Sequence, residues 1–143
     1  MTDWQPDMLL TSERLDDWVE PVSTTTGLVA SADWSVLQFA ARRIGKFVFV
    51  TMQVQNVSAV ITTSGTADFQ VVNGDIVGDP TVATLPDGWR PSDDVVCSWD
   101  NGIESGRARV EPGGSVRLLT ITYRQSIPTS RNVRVSFSFI QTT

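Results

Sequence analysis

Two segments of this sequence alternate apolar and polar side chains with a period of two residues. In segment 47–57 the even-numbered positions from 48 to 54 are apolar, and in segment 132–140 the odd-numbered positions from 133 to 139 are apolar. Successive side chains of a β-strand point to opposite faces, so this pattern predicts strands that bury one face. The second face of segment 47–57 begins with Phe47 and Phe49 and then turns polar. We expect its start to be covered in part, by the N-terminal residues or by another subunit.

Turn signals recur between several other short β-like segments. Asn73-Gly74 and Asn101-Gly102 suit tight hairpins, whose central residues need positive φ. Leu85–Pro91 and Glu111–Val116 are marked by Pro and Gly, and we interpret both as hairpins. The other predicted strands are 36–41, 59–63, 66–72, 81–85, 95–99, 107–110 and 116–123. Many short strands separated by turns predict an all-β fold, an antiparallel β-sandwich of the jelly-roll kind.

The sequence divides into an N-terminal arm, residues 1–27, and a β domain, residues 28–143. The arm holds the one helix that the sequence predicts, which begins near Thr11 or Ser12 and ends before Pro21. The apolar stripe of this helix, spaced i, i+3 and i+4, consists of Leu15, Trp18 and Val19. A helix of about two turns is marginal alone, so the stripe must pack on the chain's own β domain or on a partner.

Composition excludes several kinds of chemistry. The chain has no histidine and one cysteine, Cys97, so imidazole acid–base catalysis and an intrachain disulfide are both excluded. A net charge of −5 disfavours nucleic-acid binding. No apolar run reaches the roughly 20 residues of a membrane helix, and the N-terminus lacks a signal-peptide pattern. We expect no cofactor, no metal and no membrane insertion.

Three weaker patterns have simpler structural explanations. Lys46 is the one candidate base for a serine nucleophile, and it follows a turn glycine. Asp93-Asp94 is read as a solvated loop rather than a glycosidase acid pair. The segment 100–104 offers several oxygens for calcium, but an Asn-Gly hairpin explains the same residues. We therefore predict that the protein is not an enzyme.

Five tryptophans are the most unusual feature of the composition. For Trp4, Trp18 and Trp34 we expect packing in the core or at an interface. For Trp89 and Trp99 two readings stay open, because an exposed indole near a loop can also stack on a sugar ring.

Segment 84–91, TLPDGWRP, resembles the "tLPxGYRP" segment of bacteriophage tail-fibre and minor tail proteins. Segments 106–110 and 114–118 follow it in the order of that family. Segment 40–50 is similar to the family's "yRkxGdxVxlxG" strand pair, from which it departs at Arg43 and Ile44 and in lacking a Gly after the second strand. Segment 4–16 resembles an N-terminal "W-x-P-G-x-x-L-T-A-x-x-L-N" stretch, with departures at Asp7, Ser12 and Asp16.

The resemblance implies a virion structural protein that is made in the host cytoplasm. It implies a homotrimeric β-sandwich knob, held by its arm to other virion proteins and able to contact host cell-surface glycan. A capsid decoration protein or head fibre needs the same parts, and a carbohydrate-binding module is a third reading. The candidate anchor residues are Trp4, Leu10, Leu15, Trp18 and Val19. The candidate interface or ligand residues of the knob are Trp89, Arg90 and Trp99.

Overall fold

The computed structural model describes residues 20–63, 74–122 and 126–142. These residues form an all-β, antiparallel structure without a helix. Its nine strands are β1 (Val22–Thr24), β2 (Val29–Ala30), β3 (Trp34–Ile44), β4 (Phe47–Asn56), β5 (Thr81–Thr84), β6 (Val95–Asp100), β7 (Ser105–Val110), β8 (Ser115–Leu118) and β9 (Asn132–Ile140). They share one sheet, in the order β1-β3-β4-β9-β6-β7-β8-β5-β2. The sheet begins at Val22, inside the stretch that the sequence assigned to the arm.

The short link between β2 and β3 makes this sheet curl. β2 lies at one edge and β3 lies next to the other edge, so a flat sheet would hold them about 34 Å apart. Only residues 31–33 separate the two strands along the chain. A link of that length spans at most about 14 Å. The sheet therefore bends round on itself into a half-barrel and encloses its core.

The two alternating segments form strands, as predicted, and the structure places these strands next to each other. β4 pairs with β9 from Phe47↔Ile140 to Gln55↔Asn132. Their inward side chains are buried, at positions 48, 50, 52 and 54 of β4 and at 133, 135, 137 and 139 of β9. Outward-facing Phe47 and Phe49 remain 50% and 47% exposed. The prediction that one face of β4 is buried is confirmed.

Some of the Gly- and Pro-marked segments connect paired strands, and one does not. Glu111–Val116 does turn between paired strands, because β7 pairs with β8. Asn101-Gly102 likewise connects the paired strands β6 and β7. The hairpin predicted at Leu85–Pro91 is wrong, because β5 pairs with β8 and β2, whereas β6 pairs with β7 and β9. Turn residues report where a chain can reverse, and they carry no information on which strand it pairs with afterwards.

Other predictions differ in detail. Two separate sheets are not confirmed, since all nine strands belong to one sheet. Segment 59–63 forms an isolated bridge, Thr63↔Ile76, instead of a strand. The strand predicted over 116–123 ends at Leu118. The strand predicted over 66–72 lies outside the described residues, and so does the predicted helix of the arm up to residue 19.

Candidate interaction surfaces

One end of the curled sheet is closed by a stack of Arg43 on Trp89. The guanidinium carbon of Arg43 lies 5.4 Å from the centroid of the Trp89 ring. The Nη1 atom of Arg43 also donates to the carbonyl of Gly88 at 3.3 Å, and Nε2 of Gln141 donates to the same carbonyl at 2.9 Å. Cation–π attraction and these hydrogen bonds fix the loop after β5 to the ends of β3 and β9. We call Arg43, Gly88, Trp89 and Gln141 the rim cluster.

Arg90 ties the same loop to the hairpin between β7 and β8. Its Nε donates to the carbonyl of Leu85 at 2.9 Å, and its Nη1 pairs with Asp87 at 2.7 Å. Gly114 packs directly under this side chain, since a Cβ there would lie 2.6 Å from Nε of Arg90. Gly88 has a φ of +81°, a positive value that glycine adopts without steric strain. Trp89 and Arg90 are therefore both engaged in contacts within the chain.

Trp99 is a core residue, which corrects its assignment as an interface or ligand candidate. Its side chain is 1% exposed, and its indole Nε1 donates to the carbonyl of Thr120 at 2.9 Å. Gly106 makes room for this contact, because a Cβ there would lie 1.7 Å from the Thr120 oxygen. A buried indole cannot stack on a sugar ring. Trp34, for which packing was expected, is also buried.

The opposite end of the sheet is closed by Asn56, which sequence reasoning missed. Its side chain is fully buried at the end of β4. The Nδ2 atom donates to the carbonyls of Ala59 and Ile127, each at 3.0 Å, and Oδ1 accepts from the Ala59 amide at 2.8 Å. We call these contacts the Asn56 hub. One available signal was that Asn56 continues the inward series 48, 50, 52, 54.

The outer face of the sheet carries an exposed row of apolar side chains. Ile44 of β3 faces Phe47 of β4, which in turn faces Ile140 of β9. These three side chains are 51%, 50% and 65% exposed, and Phe49 beside them is 47% exposed. We call the four the apolar row. Isolated exposed apolar residues are ordinary, but neighbours in register on three strands form a patch that suits a contact with protein.

Two of the candidate chemical groups of the β domain, the Cys97 thiol and segment 100–104, are shielded or already engaged in contacts within the chain. Burial raises the pKa of the Cys97 thiol to about 11, as befits an unreactive cysteine. Asn101 uses Oδ1 to accept from the amides of Ile103 and Glu104, so the suggested calcium loop is an Asn-centred turn. Within the described ranges, no three His, Cys, Asp or Glu side chains lie close enough together to hold a metal ion.

The candidate anchor residues Trp4, Leu10, Leu15, Trp18 and Val19 lie outside the described residues. The part of the chain that is described contains no helix long and apolar enough to cross a membrane. No protein-family model matches the chain, and no curated protein matches it either.

Proposed function

We propose that this protein is a non-enzymatic structural component of a tailed-phage virion. In this role it is a homotrimeric fibre knob or minor tail component, and its N-terminal arm anchors it to other virion proteins. One observation carries the proposal. The segments of the β domain that resemble phage tail-fibre proteins, although far apart along the chain, contact each other in the fold.

The contacts join the segments in pairs. Arg43 of segment 40–50 stacks on Trp89 of segment 84–91. Arg90 of that second segment lies against Gly114, which begins segment 114–118. A chance resemblance has no reason to select pieces that pack together. Their convergence on one end of the sheet supports a resemblance of a whole structural unit.

The sandwich-like shape of the knob forms part of the proposal. Just two residue pairs, Trp99↔Val135 and Asp100↔Arg134, join β9 to β6. On either side of this narrow join lie β1-β3-β4-β9 and β6-β7-β8-β5-β2. We treat these as two layers that face each other across a shared core, which is the arrangement that a sandwich knob requires.

Glycan binding through the tryptophans has less support. Trp99 is buried, and the ring of Trp89 is stacked with Arg43. Contact with the host surface would have to use other side chains of the knob.

The anchor role is tested by removing residues 1–10, which leaves β1 intact. The phage is grown with its own copy of the gene disrupted, and either the full chain or the shortened chain is supplied from a plasmid. We expect the full chain in purified virions and the shortened chain in the lysate, folded but absent from particles. Equal incorporation of the two chains would refute the anchor role.

The trimer is tested separately by equilibrium sedimentation of the purified protein. The expected mass is three times that of a single chain. A species with the mass of one chain at micromolar concentration would remove the trimer from the proposal and leave the anchor role standing.

A further inference from the structure

We propose that the acidic stretch 13–19 of the chain's own arm covers the apolar row. This inference concerns the isolated protein and does not depend on a role in the virion. In this inference stretch 13–19, the part of the arm nearer to β1, packs on the β domain of its own chain. Trp4 and Leu10, in the far half, are left for a partner.

The chain enters β1 at the same end of the sheet as the apolar row. β1 is antiparallel to β3, and Val22 at its start lies opposite Arg43. The chain that precedes Val22 therefore leaves at the end of the sheet where Ile44 and Phe47 lie. Only Glu20 and Pro21 separate residue 19 from β1.

Stretch 13–19 is long enough to reach across the apolar row. Three strand spacings separate β1 from β9 in the sheet, about 14 Å in all. Residues 13–19 span about 10 Å as the predicted helix, and Glu20 and Pro21 add about 7 Å of extended chain. Residues 13–19 can therefore cross β3 and β4 and extend as far as Ile140 without moving β1.

Stretch 13–19 and the surface around the apolar row are chemically complementary. Stretch 13–19 contains Leu, Trp and Val together with three carboxylates and one arginine. The strands β3, β4 and β9, all fully described, contain no acidic residue. Arg42 and Lys46 border the apolar row, and neither forms an ion pair with another described residue. Stretch 13–19 therefore offers apolar side chains to the apolar row and carboxylates to Arg42 and Lys46.

The area of the row favours the arm over a second copy of the chain. Four half-exposed Phe and Ile side chains offer on the order of 400 Å². A stable interface between subunits needs about 800 Å² from each partner. A tethered segment needs less area, because a short tether holds it at millimolar effective concentration.

The test is an engineered cross-link in the full chain. Asp17→Cys is combined with Ser138→Cys in a Cys97→Ala background. Ser138 is exposed and pairs with Phe49 of the apolar row, so the row itself stays intact. The matched control replaces Ser138→Cys by Ser98→Cys, an exposed position on β6.

Under mild oxidation at low concentration we expect the first variant to form a disulfide within one chain, and the control to form at least tenfold less. Equal cross-linking of the two variants, or no cross-linking, would overturn the inference. Disulfide-linked dimers would overturn it as well, because they would show that the arm of a second copy of the chain covers the apolar row.

A thermodynamic cycle supplies an independent readout in the chain that keeps Cys97 and carries no engineered cysteine. Trp18→Ala, Phe47→Ser and the double variant are compared by thermal unfolding. If the two side chains touch, each single change removes the same contact, so the fall in Tm of the double variant is smaller than the sum of the single falls. Additive falls in Tm would contradict the contact. Phe47 is half-exposed, so the variants are expected to fold.

Discussion

The two ends of the curled sheet close the core with different interactions. Each end must close a core where strands stop and backbone groups lose their partners. At one end the Asn56 hub does this with a fully buried amide that bonds to Ala59 and Ile127. At the other end the rim cluster does it with a half-buried stack of Arg43 on Trp89.

This difference has an energetic consequence. A buried polar group that loses its partner is left unsatisfied, because water cannot reach it. A half-exposed group that loses its partner turns to water instead, so the loss is smaller. The same curled core should therefore be fragile at the Asn56 end and tolerant at the rim. Three measurements break or sharpen this comparison, and a fourth concerns Cys97, which lies away from both ends.

The largest effect is expected for Asn56→Ala. The change leaves the Ala59 amide without its acceptor and two carbonyls without their donor. We expect the free energy of unfolding, measured in urea, to fall by about 2–4 kcal/mol. Gln55→Ala is the control. Gln55 is the residue before Asn56, its side chain is half-exposed, and it donates one hydrogen bond, to the carbonyl of Ser130. Equal losses in the two variants would contradict the hub.

Trp89→Ala removes the ring of the rim cluster. The ring is half-buried against the core, so we expect a loss of about 1–3 kcal/mol in the same urea experiment. Trp89→Phe keeps a ring for Arg43, so we expect its loss in the free energy of unfolding to be less than half of the loss caused by Trp89→Ala. A loss for Trp89→Ala that exceeds that of Asn56→Ala would invert the ranking of the two ends.

Arg43→Ala removes the cation of the stack and leaves the ring. Gly88 keeps a hydrogen bond from Gln141, so no buried carbonyl is orphaned. We expect a loss of roughly 0.5–1 kcal/mol. Arg43→Lys should recover part of this loss in the unfolding experiment, since it keeps a charge over the ring. No recovery would show that the planar hydrogen bonds of arginine matter more than its charge.

The smallest effect concerns Cys97, away from both closing clusters. Its pKa is raised to about 11 in the fold, whereas an unfolded thiol ionises near 9.0. Its contribution to stability is therefore complete below pH 9 and is lost as the pH rises towards 11. We expect wild type to lose stability over this window relative to Cys97→Ala. Parallel pH profiles of the two proteins would contradict a shielded thiol.

The parts of the fold that the sequence predicted are those in which local pattern is decisive. β4 and β9 follow from alternation alone, because one buried face imposes a period of two on the side chains. The turns at Asn101-Gly102 and 111–116 follow from the backbone angles that glycine permits. The single curled sheet could not be predicted in this way. It depends on which distant strands pair, and neither alternation nor turn chemistry encodes that.

Trp99 and Asn56 each had a local signal for burial in the sequence, but another interpretation of the same residue was stronger. Trp99 lies between Ser98 and Asp100, an alternation that places the indole inside, but tryptophan near a turn also suggests a ligand platform. Asn56 continues the inward series of β4, although asparagine at a strand end more often indicates a turn. The stack of Arg43 on Trp89 joins residues 46 positions apart, and only the fold reveals it.

The central claim is a structural role in a phage particle, and the most direct measurement is the position of this protein on virions. Particles that carry an epitope tag after residue 142 are labelled with gold and imaged by electron microscopy. The account predicts labels on the tail or its fibres in groups that reflect threefold copy number. Labels on the head would replace the tail role by decoration of the capsid. Virions without label, alongside tagged protein in the lysate, would contradict the claim.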